Sequence, residues 1–211
     1  MYVVIGATGK VGSRVADRLL SAGKRVRVVS RSFDRLKGYM ARGAEPFAGD
    51  AADPAFLTRA FSGAEAVFSM IPPNLSAVKL RKYQNTVSVA ITKALTDTGV
   101  THVVNLSSVG AQFASKTGPI LGLHDHEKRL NRIRGLNVVH LRAAYFMENL
   151  LMDIDLGGRQ THPRRRVHGL GHVPHQTLKF LIEPGHRDRD EVKAGIGVLQ
   201  YGQLCHKSLL S

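Results

Sequence analysis

The sequence predicts an α/β fold, a doubly wound parallel sheet flanked by helices, followed by a short, poorly patterned C-terminal tail. Three observations carry this. Tyr2-Val3-Val4-Ile5 runs directly into Gly6-x-x-Gly9-x-x-Gly12, and an amphipathic stretch follows with Val11, Val15 and Leu19 spaced i, i+4 and i+8. Short β-rich runs then alternate with helical patterns to about residue 150, an order that calls for right-handed crossovers and parallel strands. The runs are also nearly continuous in apolar residues, as in Val103-Val104-Asn105-Leu106, which suits a sheet covered on both sides.

Each element has its own signal. The first strand, residues 2–5, ends at the glycines. The helix after it closes at Leu19-Leu20-Ser21-Ala22-Gly23, with glycine at the C-terminal position. Residues 25–30 form the second strand, and Phe33, Leu36 and Met40 at i, i+3 and i+7 mark a second helix. Residues 45–48 give the third strand. Asp53-Pro54 is an N-cap followed by proline at the first helical position, ahead of the buried stripe Phe56, Leu57, Ala60 and Phe61. The fourth strand, 66–71, is stopped by Pro72-Pro73. A long helix over about 76–98 places Tyr83, Val87, Ala90, Ile91, Ala94 and Leu95 on one side, and strands at 102–106 and 137–141 complete the set.

The character changes near Gly157. Alternation fades, and six of the ten histidines fall in residues 157–211. The division is a dinucleotide-binding domain over 1–156 and a divergent or frame-shifted basic tail over 157–211. In that tail 177–182 and 196–201 are short apolar runs. No internal repeat is visible.

Composition narrows the function classes. At 211 residues the chain holds one sizeable core, or one domain plus an appendage. No apolar run approaches the roughly 18–20 residues of a membrane span, and the first strand begins too early for a signal peptide. Cys205 is the single cysteine, so no intramolecular disulfide is available; it reads as an inert thiol, and a cytoplasmic location is expected. Net charge is +14; residues 1–156 carry 21 Lys+Arg against 12 Asp+Glu, and residues 157–211 carry 9 against 4. The excess attracts polyanions. Yet it is scattered, Arg164-Arg165-Arg166 is the only triple and Trp is absent, which argues against dedicated nucleic-acid recognition. His168, His172 and His175 have metal-like spacing for a helix, but Gly169, Gly171 and Pro174 oppose one, so no metal site is expected.

Ligands of such sheets bind beyond the carboxyl ends of the strands. In Gly6-Ala7-Thr8-Gly9-Lys10-Val11-Gly12, Gly6 permits the sharp turn, Gly9 lets backbone approach a phosphate, and Gly12 lets the helix pack close. The unpaired N–H groups and the positive dipole end of the helix then face an anion, the pyrophosphate of a dinucleotide. After the second strand, Ser30-Arg31-Ser32 puts arginine where an NAD-specific domain places an acid. This predicts that NADP(H) is preferred over NAD(H), with Arg35 or Lys10 able to share the 2′-phosphate. Asp50, after the third strand, either accepts from the adenine amino group or forms a turn. Met70 and Ile71 offer apolar wall and backbone to the far ribose; Pro72-Pro73 serve equally to end the strand.

The glycine loop, the Ser30-Arg31 strand end, the Gly49-Asp50 turn and Leu141-Arg142-Ala143-Ala144-Tyr145-Phe146-Met147-Glu148-Asn149 resemble the NmrA-like branch of the atypical short-chain dehydrogenases/reductases. The likeness covers about residues 1–156. It implies a Rossmann domain holding NADP(H) and then a small substrate domain, in a branch that includes NADPH-dependent quinone oxidoreductases and redox-sensing regulators. Short-chain reductases typically use Ser with Tyr-x-x-x-Lys. Ser107-Ser108 follows the fifth strand in the matching place. In His124-Asp125-His126-Glu127-Lys128, Lys128 matches the lysine and His124 stands where the tyrosine would be. The resemblance therefore implies hydride transfer between NADP(H) and a small carbonyl or quinone. Lys128 would hold the nicotinamide ribose, with Ser108 and His124 as candidates for proton transfer. Tyr145 could face the nicotinamide or serve packing. The alternative is a non-catalytic NADP(H)-sensing regulator that binds a protein partner. After Asp155 the expected substrate domain gives way to Gly/Arg/His-rich sequence.

Overall fold

A computed structural model describes residues 1–74 and 76–144. Six strands form one parallel sheet: β1 (Tyr2–Ile5), β2 (Val26–Ser30), β3 (Glu45–Ala48), β4 (Ala66–Ser69), β5 (His102–Ser108) and β6 (Asn137–Ala143). Their spatial order is β3-β2-β1-β4-β5-β6, so the winding reverses between β1 and β4. In register, Val4 lies beside Val28 on one side and Phe68 on the other. The carboxyl ends of β1 and β4 therefore flank the crevice where a doubly wound sheet takes its ligand.

The helices are α1 (Lys10–Ser21), α2 (Lys37–Met40), α3 (Pro54–Phe61), α4 (Leu80–Thr98) and α5 (Leu121–Leu130). Strand alternation sends Val4, Val26, Val28 and Phe68 to one face, where they meet Ala16 of α1 and Leu36. Val3, Ile5, Val29, Val67 and Val103 go to the other, against Leu57 and Phe61 of α3, Ile91 and Leu95 of α4, and Leu130 of α5. The expected stripe of α4 is the buried one, with Val87, Ala90, Ile91, Ala94 and Leu95 inside. Asp53 caps α3 as anticipated: its Oδ1 accepts from the Ala55 and Phe56 N–H groups at 2.8 and 3.2 Å.

Several bounds move. β2 begins at Val26, β4 stops at Ser69, and β5 and β6 run on to Ser108 and Ala143. The long helix starts at Leu80 because Ala77 and Ser76 close a turn onto Asn74 instead. The second helix is the clearest departure. It is a 3₁₀ turn, Asp34–Leu36, joined to the single turn α2, and the Arg42–Gly43 turn ends it. That is too short to hold a stripe, so only Leu36 is buried; Phe33 and Met40 are 48% and 43% exposed.

Among the described residues no helix is long and apolar enough to cross a membrane. Tyr145, the basic tail 157–211 with its apolar runs, His168, His172, His175 and Cys205 lie outside the described residues.

Candidate functional site

The glycine loop is built by backbone contacts that exclude side chains. Gly6 has φ +70°, and its N–H and that of Ala7 donate to the Val29 carbonyl at 3.0 and 3.3 Å, tying the loop to β2. The Gly9 N–H closes the turn onto the Gly6 carbonyl at 2.9 Å. A Cβ on Gly12 would stand 2.2 Å from the Gly6 oxygen, and one on Gly6 would stand 2.6 Å from Met70 Sδ. A side chain at Gly12 would displace backbone, and one at Gly6 would be strained by its positive φ and would have to move Met70. Gly9 is the N-cap of α1, with no side-chain cap and no acid in the first turn. The first N–H groups of the helix thus stay available to an anion. A dinucleotide pyrophosphate fits this cradle on its shape and on the polarity of its donors.

Side chains brace the loop from β2 and α2. Thr8 Oγ1 lies 3.0 Å from Ser30 Oγ, Tyr39 donates to the Ala7 carbonyl at 2.9 Å, and Arg35 Nη2 donates to the Thr8 carbonyl at 2.8 Å. Arg31 and Lys10 are exposed, while Val11 is half-buried against the α1 face of the sheet. Arg35, which the sequence offers as a second partner for a 2′-phosphate, has its guanidinium fastened to the loop itself. Asp50 Oδ1 accepts the Ala52 N–H at 2.9 Å, which is the turn-forming reading of that residue. Met70 sits directly beside Gly6, but Ile71 is 9% exposed and packs into the core, leaving backbone as what it offers a ribose.

Tyr83, on the buried stripe of α4, has a second role. It is half-buried and donates to the Pro72 carbonyl at 3.0 Å, bracing the segment after β4. Burial raises the proton affinity of its phenol, with Arg31 opposing and the Asp50 carboxylate adding to the rise.

At the end of β5 the two serines face opposite ways. Ser108 is half-buried and donates to the Val109 carbonyl at 3.1 Å. Ser107 is buried and donates to Glu127 Oε1 of α5 at 2.5 Å. Arg142, the register partner of Ser107 on β6, donates to the same carboxylate from Nε at 3.1 Å and Nη2 at 2.8 Å. Burial pushes the Glu127 proton affinity up, but the bonds from Arg142 and Ser107 outweigh it and hold the carboxyl below its usual range. His124 and Lys128 lie on either side of Glu127 on α5. His124 Nδ1–H donates to the Ala111 carbonyl at 2.8 Å, leaving Nε2 as its outward atom, and Lys128 is exposed. No hydrogen bond among the described residues joins Ser108, His124 and Lys128 to one another.

Deeper in the same layer, His126 is fully buried between Ser88 Oγ, 2.9 Å from Nδ1, and Ser69 Oγ, 3.5 Å from Nε2. Burial, then the neighbouring His140 and Arg129, lower its pKa to about 3 against a weaker upward pull from Glu127. Arg129 Nη1 donates to Asn85 and Ser88, and His140 bridges Asn105 and Asn131. None of this seam was identified as functional from sequence. The signal available was the density of polar residues at buried strand positions: Ser69, Asn105, Ser107 and His140.

Comparison with known proteins agrees with the geometry. Residues 6–165 match the protein family described as NAD(P)H-binding. The chain is 28% identical over 152 residues to an NAD(P)H azoreductase of Xenophilus azovorans, covering 72% of this chain and 50% of that protein. It is 31% identical over 151 residues to a (4-alkanoyl-5-oxo-2,5-dihydrofuran-3-yl)methyl phosphate reductase of Streptomyces griseus, with the same coverage, 72% and 50%. Thus the chain spans about half the length of the curated relatives it matches. Among solved structures, the Citrobacter triphenylmethane reductase complexed with NADP(H) superposes with TM-score 0.64 at 21% identity, over 71% of this chain and 51% of that one. An Escherichia coli NADPH-dependent quinone oxidoreductase complexed with NADPH gives 0.63 at 21%, over 74% and 53%.

Proposed function

This chain belongs to the NAD(P)H-binding family, and we propose that it is a reductase that prefers NADP(H) over NAD(H) and passes hydride to a small carbonyl or quinone. The observation that carries the reading is the glycine loop, where a Cβ at Gly12 would stand 2.2 Å from backbone and the first helical turn is uncapped. Gly6, Gly9 and Gly12, with the backbone of Thr8, Lys10 and Val11, hold the pyrophosphate. Arg31 faces the 2′-phosphate, joined by Arg35, whose guanidinium is already fixed on the Thr8 carbonyl. Asp50 stands at the adenine end, Met70 and the backbone of Ile71 at the far ribose, and Lys128 at the nicotinamide ribose.

When bound, the reduced nicotinamide supplies the hydride. The chain's own residues supply position and protons. His124 commits Nδ1–H to Ala111, so any proton it gives leaves from Nε2, and only from the imidazolium form. Ser108 is the second candidate, its hydroxyl resting on Val109. A quinone can instead take its protons from water once reduced. The similar proteins, an azoreductase, a triphenylmethane reductase and a quinone oxidoreductase, favour a flat conjugated acceptor.

Fluorescence titration with NADPH and NADH tests the cofactor assignment. Binding of NADPH with NADH weaker by about tenfold, roughly 1.4 kcal/mol, is the expected result. Equal affinities would remove the assignment of Arg31 and Arg35, and absence of binding by a folded sample would remove the whole reading. NADPH oxidation by simple quinones then tests turnover.

A further inference from the structure

A groove of about 690 Å³ lies at the opposite end of the sheet from the glycine loop. Its walls are the second half of α4, the turn into β5, and the segment that leads from α5 into β6. These elements meet at the amino ends of β5 and β6, whereas the dinucleotide cradle sits at the carboxyl ends of β1 and β4. We propose that this groove is a second binding site, for an anionic amphiphile: a phosphate or carboxylate carried on an apolar body.

Two features choose that ligand class. The first is an apolar floor. Val89, 52% exposed in the middle of α4, and the half-buried Ile133 give the groove its apolar surface, with Leu95 and Val100 beneath them in the core. The size falls within the range of small-molecule sites, which are mostly apolar with a few placed polar groups.

The second is charge. Lys93, Arg129, Arg132 and Arg134 line the groove against a single acid, Asp97, and Asp97 is taken by Lys93 at 2.8 Å. Among the described residues the Arg132 and Arg134 side chains have no hydrogen-bond or ion-pair partner, so two guanidiniums stand ready on one rim. Arg129 is different in kind. Its Nη1 is spent on Asn85 and Ser88 at 2.8 and 3.1 Å, which fixes the guanidinium plane and leaves Nε and Nη2 without a partner among the described residues. A pre-oriented fork of this sort loses little further freedom on meeting an oxyanion. Residues 157–211 make a poor occupant, since they carry 9 Lys+Arg against 4 Asp+Glu and share the sign of the rim.

Hexyl phosphate, below its micelle concentration, is the probe, titrated calorimetrically into the full-length protein with and without saturating NADPH. Hexyl phosphate is expected to bind in both conditions and more tightly than inorganic phosphate. The double variant Arg132→Gln/Arg134→Gln, both positions exposed, is expected to weaken it by about tenfold without changing the melting temperature. Displacement of hexyl phosphate by NADPH would mean that it occupies the cradle, and would overturn the proposal. So would equal affinity for inorganic phosphate, unchanged affinity in the double variant, or no binding. Because the arginine variants carry the readout, the result stands whether or not NADPH binds.

Discussion

The two halves of the sheet are built on different principles. Around β1, β2 and β3 the fully buried side chains are apolar, with Arg27 at the margin paired to Glu45 and to the Ala60 and Ser62 carbonyls, and the glycine loop above them is made of backbone. Around β4, β5 and β6 the interior is wet with side-chain chemistry. Every buried polar or charged residue among those described, Ser69, Gln84, Ser88, Asn105, Ser107, His126, Glu127 and His140, belongs to the second half or to α4 and α5 that cover it. The difference follows from what each half has to fix. A turn that presents backbone N–H groups needs a set backbone path, and glycines fix it with a few side-chain bonds from the rim, those of Ser30, Arg35 and Tyr39. The helix that carries His124 and Lys128 needs a definite rotation about its axis, and an apolar stripe leaves that loosely set. Glu127, held by Ser107 and Arg142, and His126, held between Ser69 and Ser88, fix it. Such networks specify geometry through their satisfied members, and Gln84 Oε1 and Asn105 Oδ1 are buried here with no hydrogen-bond partner among the described residues.

Breaking the polar half should cost most. Glu127→Ala withdraws the carboxylate shared by Ser107 and Arg142, and a loss of about 3–5 kcal/mol is expected in urea unfolding, the cost of removing one partner of a buried pair. If the loss is under about 1 kcal/mol, the seam does not hold α5 and the contrast between the halves fails.

In the backbone half, Gly12→Ala forces a Cβ to within 2.2 Å of the Gly6 oxygen. The strain should be about 1–3 kcal/mol in stability, and NADPH binding should fall far more than the fold suffers. Near-normal NADPH affinity in this variant would show that the cradle tolerates displacement.

Acid distinguishes the halves without mutation. His126 is kept neutral in the fold, its pKa near 3 against 6.5 in the unfolded chain, so below pH 6.5 the unfolded state takes a proton that the folded state refuses. Stability should therefore fall by roughly 1.4 kcal/mol per pH unit on acidification, about 2 kcal/mol by pH 5. Glu127 has a lowered folded pKa, so its contribution is present above the usual carboxylate range and is lost only at lower pH. In the window from pH 6.5 to 5, His126→Asn should make the slope shallower while lowering stability at pH 8.

Smaller effects sharpen the assignment of the first half. Arg31→Ala and Arg35→Ala should each reduce the preference for NADPH over NADH by up to about tenfold. The larger loss belongs to Arg35 if anchorage on Thr8 matters, and a titration of each variant with both nucleotides decides it. Asp53→Ala, at the cap of α3, should cost about 1 kcal/mol in urea unfolding and leave nucleotide affinity unchanged.

Much of the first half was legible in the sequence because its signals are short-range. The glycine spacing and Asp53-Pro54 act within one turn, as the stripe of α4 over the other half acts within one helix, and the structure places each as the sequence reads. Asp50 and Arg35 were legible only as types: that Asp50 spends an oxygen on Ala52, and that Arg35 grips Thr8, depends on how the turns close. The second helix misled because spacing says nothing about length, and a chain that turns at Gly43 leaves no room for a full stripe.

By itself the sequence determined the parallel α/β winding, the glycine turn between β1 and α1 and the family, since each depends on residues that are neighbours along the chain. Tertiary structure alone decided which of two adjacent serines is buried, that Glu127 rather than a neighbour anchors α5, and that His126 lies sealed between two helices and the sheet. The partners in those bonds are 20 residues apart for Ser107 and Glu127, 57 for Ser69 and His126, and 44 for Asn85 and Arg129. Strand alternation puts a side chain on one face or the other; only the packed helix supplies the group that meets it.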